Sequence, residues 1–87
     1  MSWSLTINPV AKADFNAAVD KAEPTGQTYD KAPNLKGDVS TAKTALKLIA
    51  NKLTRNSLAA TASGHSLEPN QGKEWFEGIS VNVYGKD

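Results

Sequence analysis

Trp3, Leu5 and Ile7 alternate with Ser4, Thr6 and Asn8 near the start of the chain. A period of two over so short a stretch predicts a strand with one buried face. Asn8-Pro9 is expected to end it. An asparagine side chain can cap a helix, and proline suits the first helical position, whose N–H has no helical partner anyway. The helix that follows is predicted over 9–22, with Ala11, Phe15, Ala18, Val19 and Ala22 in one narrow apolar stripe. Glu23-Pro24-Thr25-Gly26 closes it. Pro24, Gly26, Pro33 and Gly37 then mark a polar loop that lasts to Gly37, with Tyr29 and Leu35 as its sizeable apolar anchors.

A second helix is predicted from Val39 to Arg55, behind Asp38 as its cap. Val39, Ala42, Leu46, Ile49 and Leu53 recur in steps of three and four, and Lys52 and Arg55 fall where the negative end of the helix dipole favours them. Two more alternating stretches follow. Leu58, Ala60 and Ala62 alternate with Ala59, Thr61 and Ser63, and Ile79, Val81 and Val83 alternate with Ser80, Asn82 and Tyr84. Between them lies a long loop from Gly64 to Gly78. The order β-α-α-β-β predicts one α+β domain over 1–87, a three-stranded, mainly antiparallel sheet with two helices packed on one face. The small Ala59 and Ala60 suit a crowded, central second strand.

Composition sharpens this in three ways. Eighty-seven residues without cysteine make a small core with no covalent staple, so a second copy of the chain is expected to help bury it. Ten basic and nine acidic residues leave a formal charge of +1, which excludes a strongly basic nucleic-acid binder but not a local patch. A single histidine excludes an all-histidine metal site, and no cofactor is expected. The N-terminus has no basic leader, and no apolar run reaches bilayer length, so the expected location is the cytoplasm, away from membranes.

Four features carry candidate chemistry. Ser63-Gly64-His65-Ser66, with Glu68, Glu74 and Glu77 further on, places the imidazole among carboxylates, as a general base requires. No nucleophile or oxyanion motif accompanies it, so an enzyme using His65 ranks behind the binding readings. Lys43, Lys47, Lys52 and Arg55 occur with no acid between Val39 and Leu67. Lys43, Lys47 and Arg55 are candidate phosphate ligands for a nucleotide; the plainer reading is a solvated helix face, neutralised by Asp14, Asp20, Glu23 or Asp30. Trp75-Phe76 sits in the long loop between charges and glycines. Phe76 is expected in the core and Trp75 at a partner, since an indole N–H works at a half-wet interface. Finally, Ser4, Thr6, Ala59, Thr61, Ser63, Ser80, Asn82 and Tyr84 form an outer sheet face without charge, suited to a second sheet or a flat partner, or to plain hydration. The expected partner-binding residues are Trp75, Phe76, His65 and Tyr84.

The opening Met-Ser-Trp-Ser, the Ser63-Gly64-His65 turn, the proline and tryptophan of the next loop and the closing Ile79-Ser80-Val81-Asn82-Val83 resemble small uncharacterised proteins of actinobacterial phages. The resemblance implies an accessory role: a capsid component or host-protein binder, in the host cytoplasm or the virion, or a sponge for a phosphorylated nucleotide signal. Taken together, the expected function is that of a non-catalytic, oligomeric binding or structural module. The nucleotide sponge, built at a subunit interface, is the alternative.

Overall fold

The computed structural model describes residues 2–26, 33–65 and 78–86. Five elements follow in the order β1 (Ser2–Ala11), α1 (Lys12–Lys21), α2 (Pro33–Asn51), β2 (Ser57–His65) and β3 (Gly78–Lys86). The fold is α+β. The three strands form one antiparallel sheet in the order β1-β2-β3, so β2 is the central strand.

β1 runs past the Asn8-Pro9 pair at which the alternation predicts a stop. The register with β2 shifts between Ile7 and Val10, and pairing resumes at Val10 with Leu58 and Ala11 with Ser57. Proline has no N–H to give a ladder, and an edge strand at an irregularity is where a sheet tolerates it. Helix α1 therefore starts at Lys12 rather than Pro9, with Ala11 as its N-cap and no side-chain cap. The backbone N–H of Lys12 instead donates to the carbonyl of Asn56 (2.9 Å), which satisfies one orphan of the first turn from outside the helix. Asp14 in the first turn and Lys21 in the last match the helix dipole. Of the expected stripe, Phe15 and Val19 are buried, Ala18 and Ala22 half-buried, and Ala11 is exposed in the strand.

α2 begins at Pro33, six residues before Val39, so residues 33–37 belong to a helix and not to the polar loop. Proline at a first helical position loses nothing, and one interior glycine costs a helix this long only about 1 kcal/mol. The far end also differs. The helix stops at Asn51, which leaves Lys52 and Arg55 outside it and no basic residue in its last turn. Lys52 and Leu53 wind down with backbone bonds three residues back, to Ile49 and Ala50. Along α2 the buried row is Ala42, Leu46 and Ala50, with Val39 and Leu53 half-buried against it. Ile49, expected in that row, lies on its flank, half-buried.

Trp3, Leu5, Ile7, Leu58, Ala60 and Ala62 from the sheet join Phe15 and Val19 of α1 and the Ala42–Leu46–Ala50 row of α2 in one core. α1 packs along β1, and α2 packs along β3. The core follows a rule of size across the strands. Trp3 stands opposite Gly64, Leu5 opposite Ala62, and Ile7 opposite Ala60, while Leu58 stands opposite Gly85 of β3. Large side chains on one strand lie beside almost none on the next, which lets the helices close down on the central strand at interior density. At Gly64 the requirement is strict: a Cβ there would run into the Trp3 indole. Gly64 and His65 are thus strand residues, paired with Trp3 and Ser2 on one side and with Ile79 and Gly78 on the other, and not the turn their composition suggests.

Gly64→Ala is accordingly expected to destabilise the fold by about 2 kcal/mol, the cost of overpacking against a rigid buried ring. Gly85→Ala would press on Cβ and Cγ of Arg55, the backbone end of that side chain, which rotation cannot carry away, and is expected to destabilise by a similar amount. Urea unfolding of both variants, read as midpoint shifts at constant slope, checks both losses.

Candidate functional site

The exposed face of the sheet is built from cross-strand rows. Ser4, Ser63 and Ser80 form one row, and Thr6, Thr61 and Asn82 the next; all six side chains are exposed. Alternation sends these residues to the side opposite Trp3, Leu5 and Ile7. Ala59 departs from expectation. It occupies the same side, opposite Tyr84, yet only 1% of it is exposed. A methyl beside a large ring on a neighbouring strand leaves little for water to reach, so Ala59 contributes no contact surface. Tyr84 remains 39% exposed, and the Lys86 amine stands 5.8 Å from its ring centroid, within cation–π range. Because β3 extends to Lys86, the face ends in one positive charge at its rim rather than in none. Ser57 fixes that corner by donating from Oγ to the Lys86 carbonyl (2.7 Å).

Of the expected partner-binding residues, the described His65 and Tyr84 lie far apart. The register sets Ser57 opposite Lys86 at one end of the sheet and His65 opposite Gly78 at the other. His65 is therefore six β3 positions away from Tyr84, roughly 20 Å along the strand. Trp75 and Phe76, with Glu68, Glu74 and Glu77, lie outside the described residues.

The basic residues part company as well. The Lys47 amine bonds to Asp20 Oδ1 of α1 at 2.7 Å, and the Lys43 amine donates to the Asp20 backbone carbonyl at 3.3 Å. One acidic residue thus collects both lysines and ties α2 to α1, the neutralisation expected of Asp20. Arg55 sits elsewhere, with its stem against Gly85 of β3. The three candidate phosphate ligands do not converge on one point. Lys12, which sequence reasoning passed over, donates its amine to the carbonyl of Leu53, just past the end of α2. It lines an open cleft of about 410 Å³ with Ala13, Asn16, Ala50 and Asn51. Two carboxamides and an engaged amine can orient a polar group, but they supply neither a base nor a nucleophile.

The two edges of the sheet differ. Beside β1, Ser4 and Thr25 exchange backbone bonds of 2.8 Å in each direction, and their hydroxyls meet at 3.1 Å. Gly26 adopts φ 116°, a backbone conformation open to glycine at no steric cost. β3 pairs along its length with β2 and has no second neighbour among the described residues. Ile79 and Tyr84 on this strand are 37% and 39% exposed, and Leu48 of α2 is 58% exposed.

The Trp3 Nε1–H is buried and has no acceptor among the described residues. Leaving such a group unsatisfied costs about 1–3 kcal/mol, offset here by the burial of the whole indole. Among the described residues no group of three or more histidine, cysteine or acidic side chains could hold a metal ion, and no helix is long and apolar enough to cross a membrane. No family model, curated protein or solved structure matches the chain.

Asp20→Asn removes the carboxylate charge that holds Lys47 and leaves the backbone carbonyl that accepts from Lys43. Because the Lys47–Asp20 pair is solvent-exposed, the expected loss is under about 1 kcal/mol. In 1 M salt, with a screening length of about 3 Å, most of that loss should vanish, which thermal melts of both proteins at two salt concentrations will test.

Proposed function

We propose that the protein is a non-catalytic binding and structural module, in which both helices cover one face of the sheet and the opposite face meets a flat protein partner. The observation that carries this reading is the pair of exposed rows, Ser4–Ser63–Ser80 and Thr6–Thr61–Asn82, with short, uncharged side chains on all three strands. Solvated sheet faces ordinarily carry lysine and glutamate, which keep other proteins away. Hydroxyls and a carboxamide lose little conformational entropy on contact and still satisfy hydrogen bonds at a sheet surface. The module works as an oligomer, as the small unstapled core favours. Its sequence resemblance to small phage proteins puts the partner in a virion or in the host cytoplasm.

Two measurements test this. Sedimentation equilibrium at micromolar concentration should give a species heavier than the 9.3 kDa chain, and a 9.3 kDa species throughout would overturn the oligomeric part. Thr61→Lys places a charge at the centre of the proposed contact face. Since Thr61 is exposed, stability should stay within about 0.5 kcal/mol of the parent. A virion or host protein held by the immobilised parent chain should be released by this substitution. Equal retention by parent and variant would rule the face out.

A further inference from the structure

We infer that two copies of the chain join edge to edge through β3, which makes one continuous six-stranded sheet from two three-stranded ones. The inference rests on the oligomeric part of the reading above and assigns the surface that forms the dimer.

An unpaired strand edge is a template for another strand, and proteins that stay monomeric guard it with proline, inward-pointing charge, a bulge or a covering segment. β1 carries such guards. Pro9 and the register shift interrupt it, and Thr25 pairs with Ser4 beside it. Along β3 the sequence Gly-Ile-Ser-Val-Asn-Val-Tyr-Gly from Gly78 to Gly85 has neither proline nor charge, and its register with β2 is unbroken over nine residues.

The strand is also complementary to itself. In an antiparallel pair about a two-fold axis at Asn82, Val81 stands opposite the second copy's Val83, and Ser80 opposite its Tyr84. Ile79 then faces Gly85, and the one charge, Lys86, faces Gly78 rather than another lysine. The side-chain period of two is preserved across the junction, so the core-side residues Val81 and Val83 adjoin their equivalents, and the polar rows continue on the other side. Both valines are only half-buried within one chain, and Ile79 is exposed. Pairing at this edge would cover all three.

Helix α2 supplies a second contact on the same side. Lys43 and Lys47 point toward α1, where Asp20 holds them. At 100° per residue, the flank of α2 away from those lysines carries Ala45, Leu48 and Ile49, with Lys52 just past the helix end. Because α2 packs along β3 and α1 along β1, this apolar flank lies toward the outer edge of β3, which has no second neighbour among the described residues. Joining two β3 strands brings the two α2 flanks together over the extended sheet. A second copy thus matches the edge in backbone, side-chain size and charge, whereas an arbitrary extended peptide would match only the backbone.

The chain has no cysteine, so single-cysteine variants report the geometry without background. Asn82→Cys places a thiol on the proposed axis, where directly opposed Cα atoms of an antiparallel pair are about 4.5–5.5 Å apart, within disulfide reach. The expected result is a covalent dimer on mild oxidation or with a short bis-maleimide, while Thr61→Cys, on the central strand, stays monomeric. Leu48→Lys, at an exposed position, should leave the melting of the monomer unchanged and raise the dimer dissociation constant at least about tenfold. Cross-linking of Thr61→Cys with none of Asn82→Cys would mean that the sheets stack face to face, which overturns the edge pairing and keeps the oligomer. A monomer at every concentration, with no cross-link from either variant, overturns both. Dimerisation unchanged by Leu48→Lys and uncross-linked at Asn82 would likewise sink the edge model.

Discussion

Gly64, Ala62 and Ala60 leave the inner side of the central strand nearly bare, and the remaining core is assembled in the space they vacate. Trp3, Leu5 and Ile7 reach across from β1 because nothing on β2 stands in their way. Phe15, Val19, Leu46 and the two buried alanines of α2 can then approach the sheet closely. In a chain of 87 residues every buried side chain is a large share of the total, so close approach matters more than added bulk. The indole itself is positioned by packing against the backbone of Gly64.

That same constraint separates what could be read in the sequence from what could not. Alternation located all three strands and the steps of three and four located the second helix, because one buried face imposes its period on any chain. The ends were misjudged for reasons that lie across the fold. Proline at a first helical position was the right rule applied to the wrong residue; Pro33 obeys it, and Pro9 sits in an edge strand whose partner no local window reveals. Gly64 looks like a turn residue, and the reason it is glycine is a tryptophan at the other end of the chain.

For the candidate site the division is similar. The exposed rows were legible, since they are the complement of the buried ones. Ala59 was not, because its burial depends on sitting opposite Tyr84. The basic residues of the second helix looked like a cluster in one dimension; helix α2 ends before Arg55, and Asp20, on a different helix, takes up the two lysines. His65 and Tyr84 are held at opposite ends of the sheet by register alone. Spacing along a chain says which residues share a face, while convergence on one point is a property of the packed molecule.

Pairing of β1 with β2 also sets a timetable for folding. Ser2 pairs with His65 in the ladder, so β1 is made well before β2, its partner in the sheet. At about 5–20 residues per second of synthesis, β1 spends several seconds on the ribosome as a bare alternating segment. The two helices can form in that interval, since their contacts are local, but their apolar faces have no sheet to cover. The β1–β2 ladder can close only once β2 has been made, and closing it brings together residues far apart along the chain. A polypeptide of this kind depends, during its own synthesis, on the water-solubility of Ser4, Thr6 and Asn8, the alternate positions that keep the waiting strand from associating elsewhere.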